Sequence, residues 1–174
     1  MRLFTSLFTI MLLCLLLPVC ALGESIAVLT PLAMTPDTEG QVLDLYCGPT
    51  QGFYRHHQQT LDTGKDYVVF GQYDCWAMAA QGTPEAFGPI GWVEAGSIVD
   101  LPYEPQLGFE DGFAAMVEED AKATNDPFGG AEWDTVLPQG TQVIVLAQCG
   151  DWLYVQCDIE GVPARVFIPT NTVF

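Results

Sequence analysis

Short runs of β-branched and aromatic residues, separated by glycine and proline, dominate the hydrophobic pattern after the first 23 residues. "YVVF" (67–70) and "QVIVL" (142–146) have the length and composition of β-strands. "WLYVQC" (152–157) has the two-residue period of a half-buried strand, with Leu153 and Val155 on one face. The pattern predicts short strands joined by tight turns, which is typical of an all-β fold.

The two halves of the chain resemble each other. Three blocks recur in the same order, with small length changes only between them, which indicates a duplication. Residues 61–76 align with 137–152 at an offset of 76, residues 91–98 with 166–173 at 75, and residues 43–50 with 121–128 at 78. Identical pairs in the first block are Leu61 and Leu137, Gly64 and Gly140, Val69 and Val145, Gln72 and Gln148, and Trp76 and Trp152.

Two further segments complete the organisation. "FAAMVEEDAKA" (113–123) shows some helical periodicity, but its place in the repeat favours strand and loop. "LPYEPQLGFEDG" (101–112), rich in proline, glycine and acidic residues, is the expected linker. Each copy of about 60 residues buries only a modest core, so we expect packing between the copies to add stability.

The first 23 residues have the features of a secretory signal peptide. An apolar run follows Arg2 up to Pro18, and Ala21-Leu22-Gly23 places small residues at −3 and −1 of a cleavage site. The run is too short to cross a bilayer. Lipidation at Cys20 is disfavoured because Val19 is larger than the small residue usual before a lipidated cysteine. We therefore expect a secreted or cell-surface protein without a membrane span.

After cleavage the chain is strongly acidic. Removing 23 of 174 residues leaves four basic residues against 22 acidic ones, a net charge of −18. Such a surface repels nucleic acid and anionic lipid, so no nucleic-acid partner is expected. The charge is typical of a soluble secreted protein, with a cationic partner as the alternative.

Four cysteines remain after cleavage: Cys47, Cys75, Cys149 and Cys157. An even number in an exported protein permits two disulfides, in any of three connectivities. Within their own hairpin Cys149 and Cys157 are too far apart to bridge. Whether the thiols pair stays open.

Ordered motifs in both copies resemble the bacterial SH3 domain family. The first copy has "LDLYCGP", "TGKDYVVFGQYDCWAMAA" and "GWVEAGSI", and the second has "NDP", "PQGTQVIVL", "GDWLYVQ" and "RVFIP". The first copy departs at Tyr46, where the family has arginine, and the second replaces Gly-Trp with Val166-Phe167. The resemblance covers roughly residues 40–174. It implies a secreted or cell-surface module that binds peptidoglycan peptides or other extracellular peptides.

The resemblance and the repeat together define the expected architecture: two tandem small SH3-like barrels after a signal peptide. The expected units are the signal peptide (1–23), a first SH3-like domain with an N-terminal extension (24–100), a linker (101–112) and a second SH3-like domain (113–174).

Cys75 is the one candidate nucleophile, because an acidic residue followed by cysteine can introduce the nucleophile of cell-wall peptidases. The repeat places Cys75 opposite Asp151, in a hairpin turn before the repeated tryptophan. A catalytic cysteine of that kind begins a helix beside a histidine, and neither feature is predicted here. We interpret Cys75 as a turn residue and expect no catalytic activity and no cofactor.

Metal binding is also poorly supported. Adjacent His56 and His57 would point to opposite sides of a strand, which favours solvated histidines. "EED" (118–120) with Asp126 lacks the alternating ligand spacing of a calcium loop, which favours a solvated acidic run.

Aromatic residues are the remaining candidates, because shallow β-barrel grooves bind peptides through aromatic platforms. The alternative role for the repeated aromatics is to complete the barrel cores, and we expect this role for Trp92 and Phe167. The predicted ligand-facing residues are Tyr54, Trp76, Trp133 and Trp152.

Two functional hypotheses follow. The first is a non-catalytic module that recognises peptidoglycan peptides or another extracellular peptide. The second is an acidic extracellular interaction or inhibitor protein for a cationic protein partner, whose binding would weaken steeply with salt.

Overall fold

The computed structural model describes residues 27–56, 59–101, 112–128, 133 and 135–173. The predicted signal peptide, Cys20, His57 and most of the predicted linker lie outside the described residues. Every regular element of the described chain is a β-strand or a three-residue 3₁₀ turn, which confirms the all-β prediction. Among these residues no helix is long and apolar enough to cross a membrane.

The first half of the chain forms two antiparallel sheets. One sheet has four strands in the order β2, β5, β6, β7, and the other is the pair β3 and β4. A 3₁₀ turn at Ala95–Ser97 follows the last strand. The strands are β2 (Leu32–Met34), β3 (Val42–Asp44), β4 (Thr60–Asp62), β5 (Tyr67–Tyr73), β6 (Trp76–Thr83) and β7 (Ala86–Glu94).

The second half has the same elements in the same order. Strand β8 pairs with β11, which continues to β12 and β13, and β9 pairs with β10. A 3₁₀ turn at Thr170–Thr172 again follows the last strand. The strands are β8 (Phe113–Met116), β9 (Ala121–Lys122), β10 (Val136–Leu137), β11 (Gln142–Cys149), β12 (Trp152–Ile159) and β13 (Val162–Pro169). Residues 113–123 therefore form strand and loop rather than a helix, as predicted.

The predicted duplication extends to irregular features of the backbone. The register shifts between Val69 and Gly71 in the first half and between Val145 and Ala147 in the second, which are the same positions at an offset of 76. A bulge adds a residue and bends its strand, and it is a specific feature of a fold. The isolated bridges Tyr46–Trp92 and Thr124–Phe167 are equivalent at the offsets of 78 and 75. The repeat is thus a repeat of geometry as well as of sequence.

The two halves exchange chain segments. Strand β1 (Ala27–Val28), from the N-terminal extension, pairs in parallel with β11 of the second half. The backbone N–H of Leu29 extends this pairing by donating to the carbonyl of Gln148 at 3.2 Å. The extension assigned by sequence to the first domain therefore contributes its strand to the second half.

Two equivalent hydrogen bonds cross between the halves in opposite directions. The N–H of Arg165 donates to the carbonyl of Cys47 at 2.6 Å, and the N–H of Ile90 donates to the carbonyl of Asn125 at 2.7 Å. Cys47 corresponds to Asn125 at the offset of 78, and Ile90 corresponds to Arg165 at 75. In each copy, the loop that contains Cys47 or its equivalent Asn125 is therefore hydrogen-bonded to the last strand of the other copy.

Three hydrophobic clusters fill the interior. One lies within the first half, around Leu61, Tyr67 and Val93. A second fills the other half, around Val145 and Val155, and also takes in Cys47 and Tyr54 from the exchanged loop. The third, called here the central cluster, joins the halves. Its buried members are Leu29, Val68, Phe70, Trp76, Met78, Ala80, Ile90, Trp92, Leu146, Ala147, Cys149, Tyr154 and Phe167.

The central cluster explains why β12 departs from the predicted half-buried pattern. The strand itself is confirmed, and Leu153 and Val155 face the core of the second half. Tyr154 faces the other way, and only 2% of its surface is exposed. It contacts the first half through its hydroxyl, which accepts a hydrogen bond from the Trp92 indole N–H at 2.8 Å. Tyr154 on the second face of β12 is therefore buried as well, because the first copy covers the middle of that face.

Candidate ligand-binding cleft

A cleft of about 160 Å³ lies on the surface of the first half. It contains one of the four predicted ligand-facing residues, Trp76, together with a second aromatic ring and two carboxylates. We call it the Trp76 cleft. Its lining residues are Leu43, Asp44, Tyr46, Gln51, Trp76, Val93, Glu94 and Ser97.

Strand pairing brings these residues together from three parts of the chain. Trp76 begins β6 directly opposite Glu94, which ends β7. Tyr46 follows β3 and is held against β7 by two backbone hydrogen bonds with Trp92, at 3.0 and 2.9 Å. Ser97 is in the 3₁₀ turn after β7, which is anchored by the bond from the Ala95 N–H to the Cys75 carbonyl at 2.8 Å. Backbone hydrogen bonds and strand pairing therefore hold the walls of the cleft in place.

The aromatic wall consists of Tyr46 and Trp76 in an edge-to-face pair. Their ring centroids lie 5.5 Å apart, with an interplanar angle of 83°. The guanidinium of Arg55 lies 5.1 Å from the centroid of Tyr46. The same guanidinium forms an ion pair with Asp44, with Nη2 at 2.9 Å from Oδ1. One end of the cleft thus already holds a cation between an aromatic face and a carboxylate.

The second carboxylate of the cleft has no cationic partner among the described residues. Glu94 is exposed and accepts a hydrogen bond from Gln51 Nε2 at 3.2 Å. Arg55 neutralises Asp44, so Glu94 leaves the cleft with one uncompensated negative charge.

The equivalent surface of the second half has different chemistry. At the offsets of the repeat, Trp152 replaces Trp76, but Thr124 replaces Tyr46 and Lys122 replaces Asp44. Pro169 replaces Glu94. The second copy therefore lacks both carboxylates and one aromatic ring, and it carries a lysine instead.

Tyr54 and Trp133 lie together, away from Trp76. Their rings are 6.0 Å apart, and His56 stacks on Trp133 with centroids at 3.9 Å and an interplanar angle of 16°. Only 4% of Trp133 is exposed, and its indole N–H donates to Asn125 Oδ1 at 3.2 Å. Both aromatic residues pack against the core of the second half. His56 is half-buried in this stack rather than fully solvated.

The repeated tryptophans both contact the central cluster. Trp152 is half-buried and packs against it, while Trp76 belongs to it and exposes 9% of its surface at the cleft. Trp92 and Phe167 are fully buried, which confirms that they are core residues. The core that they complete lies between the two halves rather than inside either one.

Cys75 lies in the turn between β5 and β6, as predicted. Asp74 in the same turn has φ of 54°, and Gly150 at the equivalent position has φ of 58°. Asp74 raises the pKa of the exposed Cys75 thiol, through its charge and through a hydrogen bond from Sγ to Oδ1 at 3.6 Å. A nucleophilic cysteine requires the opposite shift, because the thiolate is the reactive form.

The other three cysteines are buried free thiols. Burial raises the pKa of Cys47 and of Cys149 to about 11, and that of Cys157 to about 12. In the described part of the chain no group of three or more His, Cys, Asp or Glu residues could hold a metal ion. Residues 118–120 are exposed, and the Asp120 carboxylate accepts a hydrogen bond from the Gln139 N–H at 2.9 Å.

Arg165 is a buried cation that the sequence did not indicate. Only 8% of its surface is exposed, and its guanidinium lies 5.4 Å from the ring centroid of Tyr73 and 5.7 Å from that of Trp92. Its Nε donates to Gln156 Oε1 at 3.0 Å. Burial lowers the pKa of this guanidinium. Because aromatic rings of the first half surround it, Arg165 links the two copies rather than facing a ligand.

A larger depression, of about 390 Å³, lies beside β2. Leu32 and Val99 line it with 47% and 55% of their surfaces exposed, and Asp37 and Asp100 add two carboxylates. Strand β2 is an edge strand of its sheet. This surface is apolar and acidic but has no aromatic residue in its lining.

No protein family model matches the chain, and neither the curated proteins nor the solved structures contain a match.

Proposed function

We propose that this protein is an exported, non-catalytic binding module of the bacterial SH3 type, which recognises cell-wall peptides or another extracellular peptide through the Trp76 cleft. The proposal rests on one observation above all: the edge-to-face pair of Tyr46 and Trp76 lines a backbone-supported cleft beside Asp44 and Glu94. Aromatic platforms with a few polar groups are the usual means by which small β-domains hold extended peptides.

Co-sedimentation with purified cell-wall sacculi tests the proposal. Residues 24–174 should pellet with the sacculi, and Ser97→Phe should not, because the added ring fills the cleft without removing a core side chain. Thr83→Phe is the matched control. It adds the same ring at an exposed position at the other end of β6, about 23 Å from Trp76 at ~3.3 Å per residue. Equal binding by all three proteins, or none by the parent, would contradict the proposal.

The depression beside β2 favours a second candidate function, an acidic interaction or inhibitor protein for a cationic protein partner. Exposed Leu32 and Val99 next to Asp37 and Asp100 combine apolar contact area with negative charge. A partner held there should be released as salt rises from low to physiological concentration, since the Debye length falls to about 8 Å at 0.15 M. A Leu32→Ser/Val99→Ser variant should lose that partner and still bind sacculi.

A further inference from the structure

Resting on the proposed function, we infer that the Trp76 cleft takes the ammonium end of a lysine-type side chain, and that only the first of the two copies does so. The ligand is a peptide that presents a flexible apolar stem ending in a single positive charge. Three independent features of the cleft lead to this ligand.

The first feature is charge. Arg55 forms an ion pair with Asp44, so Asp44 is compensated within the protein. Glu94 receives only the neutral amide of Gln51. The carboxylate of Glu94 therefore remains available for one cation of a ligand. A second cation of the ligand would find no uncompensated carboxylate in the cleft.

The second feature is the surface on which Arg55 lies. The guanidinium is held by the face of Tyr46 and by a carboxylate, so this surface already accommodates a cation within the protein. Trp76, in contact with Tyr46 and directly opposite Glu94 across the β6–β7 pair, supplies a second ring beside a second carboxylate. A ligand cation beside Trp76 would gain the attraction of the ring electrons as well as that of Glu94.

The third feature is size. A volume of about 160 Å³ corresponds to roughly five water molecules at ~30 Å³ each. A lysine side chain has five heavy atoms beyond Cα, from Cβ to Nζ. Half-buried Leu43 lines the cleft with apolar surface for the carbon stem.

The second copy serves as an internal comparison. Lys122 at the position of Asp44 reverses the sign of the side-chain charge, and Pro169 at the position of Glu94 removes the counter-ion of an ammonium group. Thr124 removes the ring that Tyr46 supplies. The duplication has thus produced one cation-binding face and one face that rejects cations.

Trilysine, as the N-acetylated and C-amidated peptide, is the probe, titrated into ¹⁵N-labelled residues 24–174 with detection by NMR. We expect saturable shifts at the Trp76 indole and at the amides of Tyr46 and Glu94, with those of the second copy unmoved. The same peptide with acetylated lysine amines should cause no such shifts. Glu94→Gln should weaken binding by about two- to fivefold, the range of an exposed ion pair. Glu94→Lys should abolish it.

Glu85→Lys is the matched control. It makes the same charge change in the exposed turn at the far end of the β6–β7 hairpin and should leave trilysine binding intact. If Glu85→Lys weakens binding as much as Glu94→Lys, or if the acetylated peptide binds equally well, the inference is overturned in favour of general charge attraction or of apolar recognition. A third outcome would separate the two proposals. If Ser97→Phe abolishes sacculus binding but trilysine causes no shifts at the cleft, the proposed function stands and the lysine inference is overturned. Trilysine binding at the cleft without sacculus binding supports this inference and contradicts the cell-wall function.

Discussion

Separating the two copies should abolish folding, because they share a core and exchange loops. The test is to produce the two copies as separate polypeptides, residues 24–101 and residues 112–174. In the first fragment the exposed side chains would be Val68, Phe70, Trp76, Met78, Ile90 and Trp92, all from the central cluster. At ~1.5–3 kcal/mol for each large apolar side chain, exposure would cost about 9–18 kcal/mol. That is comparable to the roughly 5–15 kcal/mol by which a whole domain is typically stable.

Hydrogen bonds add to this cost. Separation removes both reciprocal backbone bonds, at the carbonyls of Cys47 and Asn125, and the partner of β1. It also removes the buried bond between Trp92 and Tyr154. Units of about 60 residues bury little core of their own, so neither fragment has enough apolar area to compensate.

Far-UV circular dichroism and urea unfolding of each fragment are the assay, beside the intact chain and a chain cleaved within residues 102–111 after folding. We expect one cooperative transition for the intact chain, no transition for either fragment alone, and a folded noncovalent complex for the cleaved chain. A fragment that unfolds cooperatively by itself would refute the reasoning, because it would show that the central cluster is an interface between independent domains.

Three further predictions concern single groups. Tyr154→Phe removes the acceptor of the buried Trp92 indole N–H and should reduce the free energy of unfolding by about 1–3 kcal/mol in urea titration; an unchanged midpoint would contradict this. Asp74→Asn should speed the alkylation of Cys75 by iodoacetamide at pH 8, followed by mass spectrometry, because Asp74 raises the pKa of that thiol; an equal or slower rate would argue against the shift. The free energy of unfolding of the reduced protein should fall as pH rises above 9, up to about pH 11 for the contribution of Cys47 and about pH 12 for that of Cys157, because the unfolded chain releases thiol protons that these folded cysteines retain. A Cys47→Ala/Cys157→Ala variant should show a flatter decline in its urea midpoint over that range.

Divergence between the copies has a simple structural route. Residues of the central cluster are constrained, because they are buried among side chains of both copies. Residues at the ends of β3 and β7, such as Asp44 and Glu94, are exposed and can change freely. One copy could therefore acquire an acidic and aromatic cleft while the fold stayed the same.

Part of the candidate site could be predicted from the sequence. Trp76 was among the predicted ligand-facing residues because it begins a strand in both copies. Glu94 was not predicted, because its proximity to Trp76 depends on the register of β6 against β7. The available signal for Glu94 was the comparison of the two copies. The second copy has Pro169 at the equivalent position, so this carboxylate is specific to the first copy.

The sequence by itself determined the all-β class, the duplication and its offsets, the long strands, and the turn containing Cys75. These features are local, since strand periodicity and turn chemistry act over a few neighbouring residues. Only the tertiary structure decided that Tyr154 of β12 is buried against the first copy, that Arg165 lies among rings of the other copy, and that β1 belongs with the second half. Alternation along a strand reports which residues share a face, but what covers that face depends on contacts between segments far apart in the chain.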